Sequence, residues 1–198
     1  MDGAGGPGDG PSPAALQGLV AGRYQLERLL GEGGMGCVYR ARHTGIDRPV
    51  ALKVLHREFC ELEEVVSRFR VEARAASRIG NPHIVEVLDS GCTESGQQFL
   101  AMELLEGTDL AEVLNIERCL SVDRALHISV QICEALAAAH EQGILHRDLK
   151  PENVFLVPRR GNPDFVKLVD FGLARLPLAR ALTQPGLALG TPEYMAPE

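Results

Sequence analysis

The sequence has no tryptophan, only 5% aromatic residues, and no C-x-x-C pair among its five cysteines. Cys37, Cys60, Cys92, Cys119 and Cys133 are odd in number and scattered, which suits a reducing, cytoplasmic setting without disulfides or zinc. No apolar run reaches the roughly 18 to 20 residues that cross a bilayer, so no membrane segment is expected within the chain. Residues 1–13 lack the basic-then-apolar order of a secretory signal. Basic residues are in deficit, 20 against 27 acidic, for a formal net charge of −7. That balance gives no broad attraction to phosphate backbones, and no local basic patch replaces it, so nucleic acid is not an expected partner.

What is present is a chain of 198 residues, 45% of them apolar, long enough to bury a core. Residues 1–22, dominated by Gly, Pro, Ala and Ser, have too few large apolar side chains to offset the entropy of ordering them and read as a flexible leader. Residues 24–29 roughly alternate, a glycine cluster follows, and 37–41 are rich in strand formers, which reads as a hairpin with a glycine-rich turn. Residues 50–55 alternate cleanly, with Val50, Leu52 and Val54 on one face and Ala51, Lys53 and Leu55 on the other. Residues 61–79 have helical spacing, and 84–88 and 99–102 are further strands. After Gly107 the pattern turns helical, most clearly at 122–142, where Leu126, Val130, Cys133, Ala137 and His140 recur every three or four residues before Gly143. Asp109 and Ser121 are suitable N-caps. Short strands return at 154–157 and 166–169. Sheet first and helices second predicts an α+β protein in two lobes.

Several residue groups carry chemistry. Gly31-Glu32-Gly33-Gly34-Met35-Gly36-Cys37-Val38 contains G-x-G-x-x-G, through which backbone amides approach phosphates. Roughly 0.2 such matches per chain arise at this glycine content, so context decides. Strand formers follow the glycines where a dinucleotide fold requires a helix, which makes the segment a flap between two strands. Lys53 is a cation inside an apolar strand. Glu72 falls in the stripe Val65, Phe69, Glu72, Ala76, Ile79, and a carboxylate there needs a partner. Lys53 is the only lysine before Lys150, so a Lys53–Glu72 ion pair is expected. In His146-Arg147-Asp148-Leu149-Lys150-Pro151-Glu152-Asn153, Asp148 can take a hydroxyl proton, Lys150 can neutralise a phosphoryl group and Asn153 can bind a hard cation. Asp170-Phe171-Gly172 adds another oxygen ligand. Cys37 reads as a small strand residue rather than a redox handle.

Taken in order, these groups, Val50-Ala51-Leu52-Lys53 and the final Gly190-Thr191-Pro192-Glu193-Tyr194-Met195-Ala196-Pro197-Glu198 resemble the eukaryotic-type serine/threonine protein kinase family, in its bacterial branch. An eight-residue agreement such as 146–153 arises by chance on the order of once in ten billion positions. The resemblance covers the chain from about Arg23 to its last residue. It implies a complete N-lobe (about 23–103) of a five-stranded antiparallel sheet plus one helix, a hinge at about 103–107, and a partial, mainly helical C-lobe (108–198). It implies ATP and Mg²⁺ as cofactors and Ser/Thr hydroxyls of proteins as acceptors. By the same resemblance, Gly31, Gly33 and Gly36 cover the phosphates, and Lys53, oriented by Glu72, holds two of them. Asp148 is the catalytic base, Lys150 meets the γ phosphate, and Asn153 with Asp170 holds the metal. Val38 and Ala51 lie above the adenine and Phe155 below it, with Met102 at the back and Glu103 to Leu105 as hinge. Thr191 matches a threonine that contacts the catalytic pair, which leaves Thr183 as the activating phosphosite, paired with Arg147.

The family's domain runs to about 250 residues or more, so the chain is expected to be a fragment, with part of the cover of 122–142 absent and any membrane anchor lying beyond Glu198. The competing expectation is a short nucleotide- or partner-binding regulatory module without turnover. A small-molecule phosphotransferase would need neither Lys150 nor 190–198.

Overall fold

The computed structural model describes residues 18–171 and Tyr194, apart from the side chains of Arg68, Glu72 and Ala75. Strands β1 (Leu19–Val20), β2 (Tyr24–Gly33), β3 (Gly36–His43), β4 (Arg48–Leu55), β5 (Val87–Cys92) and β6 (Gln98–Glu103) form one antiparallel sheet in the order β1-β2-β3-β4-β6-β5. The expected five strands are β2 to β6, although β5 runs over Val87–Cys92 where 84–88 was expected. The sixth corrects the boundary of the leader: Leu19 pairs with Gln25 and Val20 with Tyr24, and Val20 is buried, so the folded chain starts before residue 23. A Gly/Ala-rich composition hid a strand whose order comes from pairing with β2 rather than from its own side chains.

The alternation of β4 works as expected because both faces of the strand are covered. Val50, Leu52 and Val54 join Tyr24, Tyr39, Phe99 and Ala101 in one core. Ala51 and Leu55 join Val65, Phe69, Ala73, Leu100 and Met102 in another, where helix α2 (Glu63–Ile79) packs on the sheet after a single turn, α1 (Arg57–Cys60). Gly80, in the left-handed region at φ 64°, ends α2. The lobe therefore holds a second, four-residue helix beside the one expected.

Beyond the hinge, β7 (Thr108–Asp109) pairs with β8 (Val154–Arg159), and β8 with β9 (Asn162–Leu168). Helices α3 (Leu110–Glu117) and α4 (Val122–Glu141) begin at the expected caps: Asp109 accepts from the Glu112 N–H at 2.9 Å and Ser121 from the Arg124 N–H at 3.3 Å. Arg124 then donates to both carboxylate oxygens of Asp164 at 2.9 and 2.7 Å, and also to Glu117, fastening α4 to β9 and to the end of α3.

The stripe read on α4 is its outward face. Leu126 and Val130 are 59% and 55% exposed, and Cys133, Ala137 and His140 are exposed too. The packed face carries Ile128, Gln131, Ala135 and Ala139. The middle of α4 is apolar on most sides, so a three-to-four spacing fits either face, and one polar residue decides between them. Gln131 Nε2 donates to the Asp164 carbonyl at 2.9 Å while its Oε1 accepts from the Val166 N–H at 3.1 Å, satisfying backbone of β9.

The lobes meet along the segment between α2 and β5. Ile84 bridges Leu168, the Val85 N–H donates to the Leu168 carbonyl at 2.9 Å, and the Leu168 N–H to the His83 carbonyl at 2.8 Å.

Candidate functional site

Between the lobes lies a cleft of about 410 Å³, within the ~300–1,000 Å³ that suits a cofactor-sized ligand. Nine of the expected residues line it: Gly31, Val38, Ala51, Met102, Glu103, Leu105, Asn153, Phe155 and Asp170. The roof comes from β2 to β4, where Val38 opposes Lys53 and Ala51 opposes Met102 across the strand pairs. The floor comes from β8 and the turn before it. Met102 also borders a smaller cavity behind the cleft, with Ala73, Leu100, Asp170 and Phe171.

Lys53, Asp148 and Lys150 do not line the cleft themselves but are tied to Asp170 and Asn153, which do. Lys53 Nζ donates to Asp170 Oδ1 at 2.6 Å, with the lysine side chain 12% and the carboxylate 36% exposed. Below it, Asp148 Oδ2 lies 3.2 Å from Lys150 Nζ and accepts from Asn153 Nδ2 at 3.2 Å, while Asn153 Nδ2 donates to the Asp148 carbonyl at 2.7 Å. This spends the side-chain nitrogen of the buried Asn153 on Asp148, while its side-chain oxygen, Oδ1, is the atom of the pair suited to a cation. A 3-10 turn, Pro151–Asn153, with proline in the first turn, aims that amide. The Val169 N–H donates to the Asn153 main-chain carbonyl at 3.0 Å, so the turn that ends at Asn153 is tied to the segment just before Asp170.

The backbone is strained where the charges gather. Arg147 and Asp170 have φ of 66° and 57°, a conformation that non-glycine residues seldom adopt. His146 holds the corner: its Nε2 meets the Val169 carbonyl at 3.0 Å and its ring packs on Phe171, 4.5 Å between centroids. A carbonyl only accepts, so Nε2 carries the proton. Nδ1 is buried without a partner among the described residues. Burial lowers the His146 pKa from 6.5, opposed by the Val169 contact and the nearby Asp148 and Asp170 charges.

Gly33 and Gly36 do not wall the cleft. They close the β2–β3 hairpin, and Gly36 is bound to be glycine because a Cβ there would meet the Val54 carbonyl oxygen at 2.2 Å. The side chain of Glu72 lies outside the described residues, so the expected Lys53–Glu72 pair does too, as do Gly172, Thr183 and Thr191. Tyr194 is described and exposed.

Sequence reading missed Arg28, Leu30, Val85, Gly107, Glu152 and Val169 on the cleft wall, and Lys167 behind the hinge. Lys167 is 5% exposed, pairs with the Glu103 carboxylate and donates to the Ile84 carbonyl at 3.1 Å. Glu103 in turn accepts from the Glu86 N–H at 2.8 Å. The available signal was a lysine between the core residues Val166 and Leu168, the same argument that singled out Lys53.

Comparison with known proteins agrees with this geometry. Residues 24–198 match the model described as protein kinase domain. Serine/threonine-protein kinase pkn3 of Myxococcus xanthus is 48% identical over 183 residues, 90% of this chain and 34% of that protein. Serine/threonine-protein kinase PknH of Mycobacterium tuberculosis (strain H37Rv) is 46% identical over 181 residues, 91% of this chain and 28% of that protein. The crystal structure of the Mycobacterium tuberculosis PknI kinase domain superposes with a TM-score of 0.69 at 35% identity, covering 82% of this chain and 64% of that one. The chain thus spans about a third of the length of the pkn3 relative, 34%.

Proposed function

Because the chain belongs to the protein kinase family and is similar to bacterial serine/threonine kinases, we propose that it transfers the γ-phosphoryl group of ATP to serine or threonine hydroxyls of proteins. The observation that supports this reading is that Asp170 and Asn153, which line one cleft between the lobes, are paired with Lys53 and with Asp148, itself beside Lys150. Val38, Ala51, Met102 and Phe155 supply apolar walls for a flat base, and the Glu103 to Leu105 backbone supplies polar groups at its edge. Gly31, Gly33 and Gly36 let the flap's backbone approach phosphates. Lys53 orients two phosphates, and Glu72 is its proposed partner from α2. Asp148 orients the acceptor hydroxyl and receives its proton, and Lys150 offsets charge as the phosphoryl group moves.

The donor set fits a hard cation: Asn153, through its side-chain Oδ1, and Asp170, through its carboxylate, border the same cleft. Mg²⁺, when bound, neutralises phosphate charge there. Thr183 is the proposed activating phosphosite, its phosphate the proposed partner of Arg147, and phosphopeptide mass spectrometry of the ATP-incubated protein that leaves Thr183 unmodified overturns that part. Five free thiols support a reducing, cytoplasmic setting. Among the described residues no helix is long and apolar enough to cross a membrane.

The test is Asp148→Asn. Nucleotide affinity should stay within about twofold while transfer to a protein acceptor falls about 100-fold or more. Equal transfer by variant and parent overturns the assignment. Parent protein that binds ATP and transfers nothing would support the binding-module reading instead.

A further inference from the structure

The flap has a second chemical face. β2 and β3 pair with Glu32 directly opposite Cys37, and β3 and β4 pair with Cys37 opposite Val54, so the three side chains share one face of the sheet. His56 follows two residues after Val54. A carboxylate oxygen of Glu32, Sγ of Cys37 and a ring nitrogen of His56 all lie within 4.8 Å of one another. Val38, next in β3, packs with the core on the opposite face and lines the cleft, whereas Cys37 packs with the outer core. The cluster is therefore on the side of the flap away from Lys53 and the cleft.

His56 is already fastened to the turn it would close. Its N–H donates to the Met35 carbonyl at 3.0 Å and its Nε2 lies 3.1 Å from the Gly33 carbonyl. Glu32 is exposed, and Cys37 and His56 are half-buried, so an ion has a path in from solvent.

We propose that Glu32, Cys37 and His56 form a binding site for a borderline-soft divalent ion of the zinc type, and that the bound ion pins the glycine flap. One sulfur, one nitrogen and one oxygen ligand with an open fourth position match zinc, whereas a hard ion such as Mg²⁺ disfavours thiolate and imidazole. Zinc bonds of about 2.0 to 2.3 Å set the ligands some 3.3 to 3.8 Å apart, so the cluster closes by side-chain rotation of about 1 Å. Burial raises the Cys37 thiol pKa, opposed by a Tyr39 hydrogen bond and aided by the Glu32 charge, and because a metal takes the thiolate, binding releases one thiol proton to solvent. The ion joins the β2–β3 hairpin that carries the flap, through Glu32 and Cys37, to the corner between β4 and α1, through His56. The site rests on this geometry alone and not on the transfer chemistry proposed above.

The experiment titrates the full chain with Co²⁺ in excess Mg²⁺, which fills oxygen-only sites. One equivalent of Co²⁺ should bind with a thiolate-to-cobalt charge-transfer band, and Zn²⁺ should displace it. Removal of an outer partner of a metal ligand commonly costs 10- to 100-fold in affinity, so loss of a ligand itself in Cys37→Ser or His56→Ala should cost at least about tenfold. Cys133→Ser, at an exposed thiol elsewhere, should bind as the parent does. If Cys37→Ser does not fold, His56→Ala and the exposed Glu32→Gln carry the same comparison. A parent protein without the band, or a folded Cys37→Ser or His56→Ala with parental affinity, overturns the site. Zn²⁺ should also slow amide hydrogen exchange across residues 33–37 by about tenfold, and unchanged exchange in the zinc-loaded protein overturns the pinning.

Discussion

Lys53 and Asp170, 117 positions apart in the chain, meet at 2.6 Å and join the roof of the cleft to its floor. The lysine is nearly enclosed, 12% exposed, so the contact carries more weight than a surface pair of the same length. Lys53→Met keeps the stem and removes the charge. Transfer should fall about 100-fold or more, with nucleotide affinity falling much less, because the lost contact is worth most where negative charge shifts during transfer. Parallel rate and binding measurements on the variant check this, and an unaltered rate contradicts it.

Gly36 and Gly34 sit two residues apart in the same flap yet face different constraints. A Cβ at 36 would lie 2.2 Å from the Val54 carbonyl oxygen, whereas at 34 nothing lies within 4 Å. Gly36→Ala must push β3 from β4 and should destabilise by about 1–3 kcal/mol, while Gly34→Ala should change stability by about 0.5 kcal/mol or less. Thermal melts of both variants separate packing from chain flexibility as the reason for glycine here.

Lys167 and Glu103 brace the hinge from behind, with side chains 6% and 19% exposed. Lys167→Met leaves the carboxylate without its cation and should cost about 3 kcal/mol, whereas the double change with Glu103→Gln should cost less than the single one. A double-mutant cycle by denaturant unfolding gives the coupling, and additive effects would show that the pair does not act together.

His146 gives the fold a dependence on acid. Its folded pKa is lowered from 6.5 by burial, so below about pH 6.5 the unfolded chain takes up a proton that the folded chain resists. Its contribution is fully present above that pH and is lost as pH falls through the lowered folded value. Stability should therefore drop between pH 6.5 and the folded pKa, and His146→Asn should flatten that limb of a stability–pH curve. A variant with the same acid slope as the parent contradicts the role given to His146.

Much of the site was legible because its parts are local. Residues 146–153 hold a base, two cations and an amide within eight positions, and Pro151 already announces the turn that aims Asn153. The strand β4 was legible because it is covered on both faces, so strict alternation marks two cores and leaves Lys53 as the exception. On α4 the same reasoning chose the outward face, since residue spacing carries no sign. Gln131 settled it only through backbone atoms of β9 that lie more than thirty positions away. Leu19–Val20 escaped for the related reason that its partner, and not its own composition, orders it.

Chain order was enough for the two-lobe plan, which follows from periodicities of two and of three to four, and for the short motifs that resemble the family, and it was that resemblance which carried nine residues of the cleft wall. Which distant groups touch was left to folding. Lys53 finds Asp170, Lys167 finds Glu103, and a cysteine with no ligand spacing of its own comes to lie beside Glu32 and His56. Such contacts depend on strand register and on the way the lobes close, and register is a property of paired strands that no single segment carries.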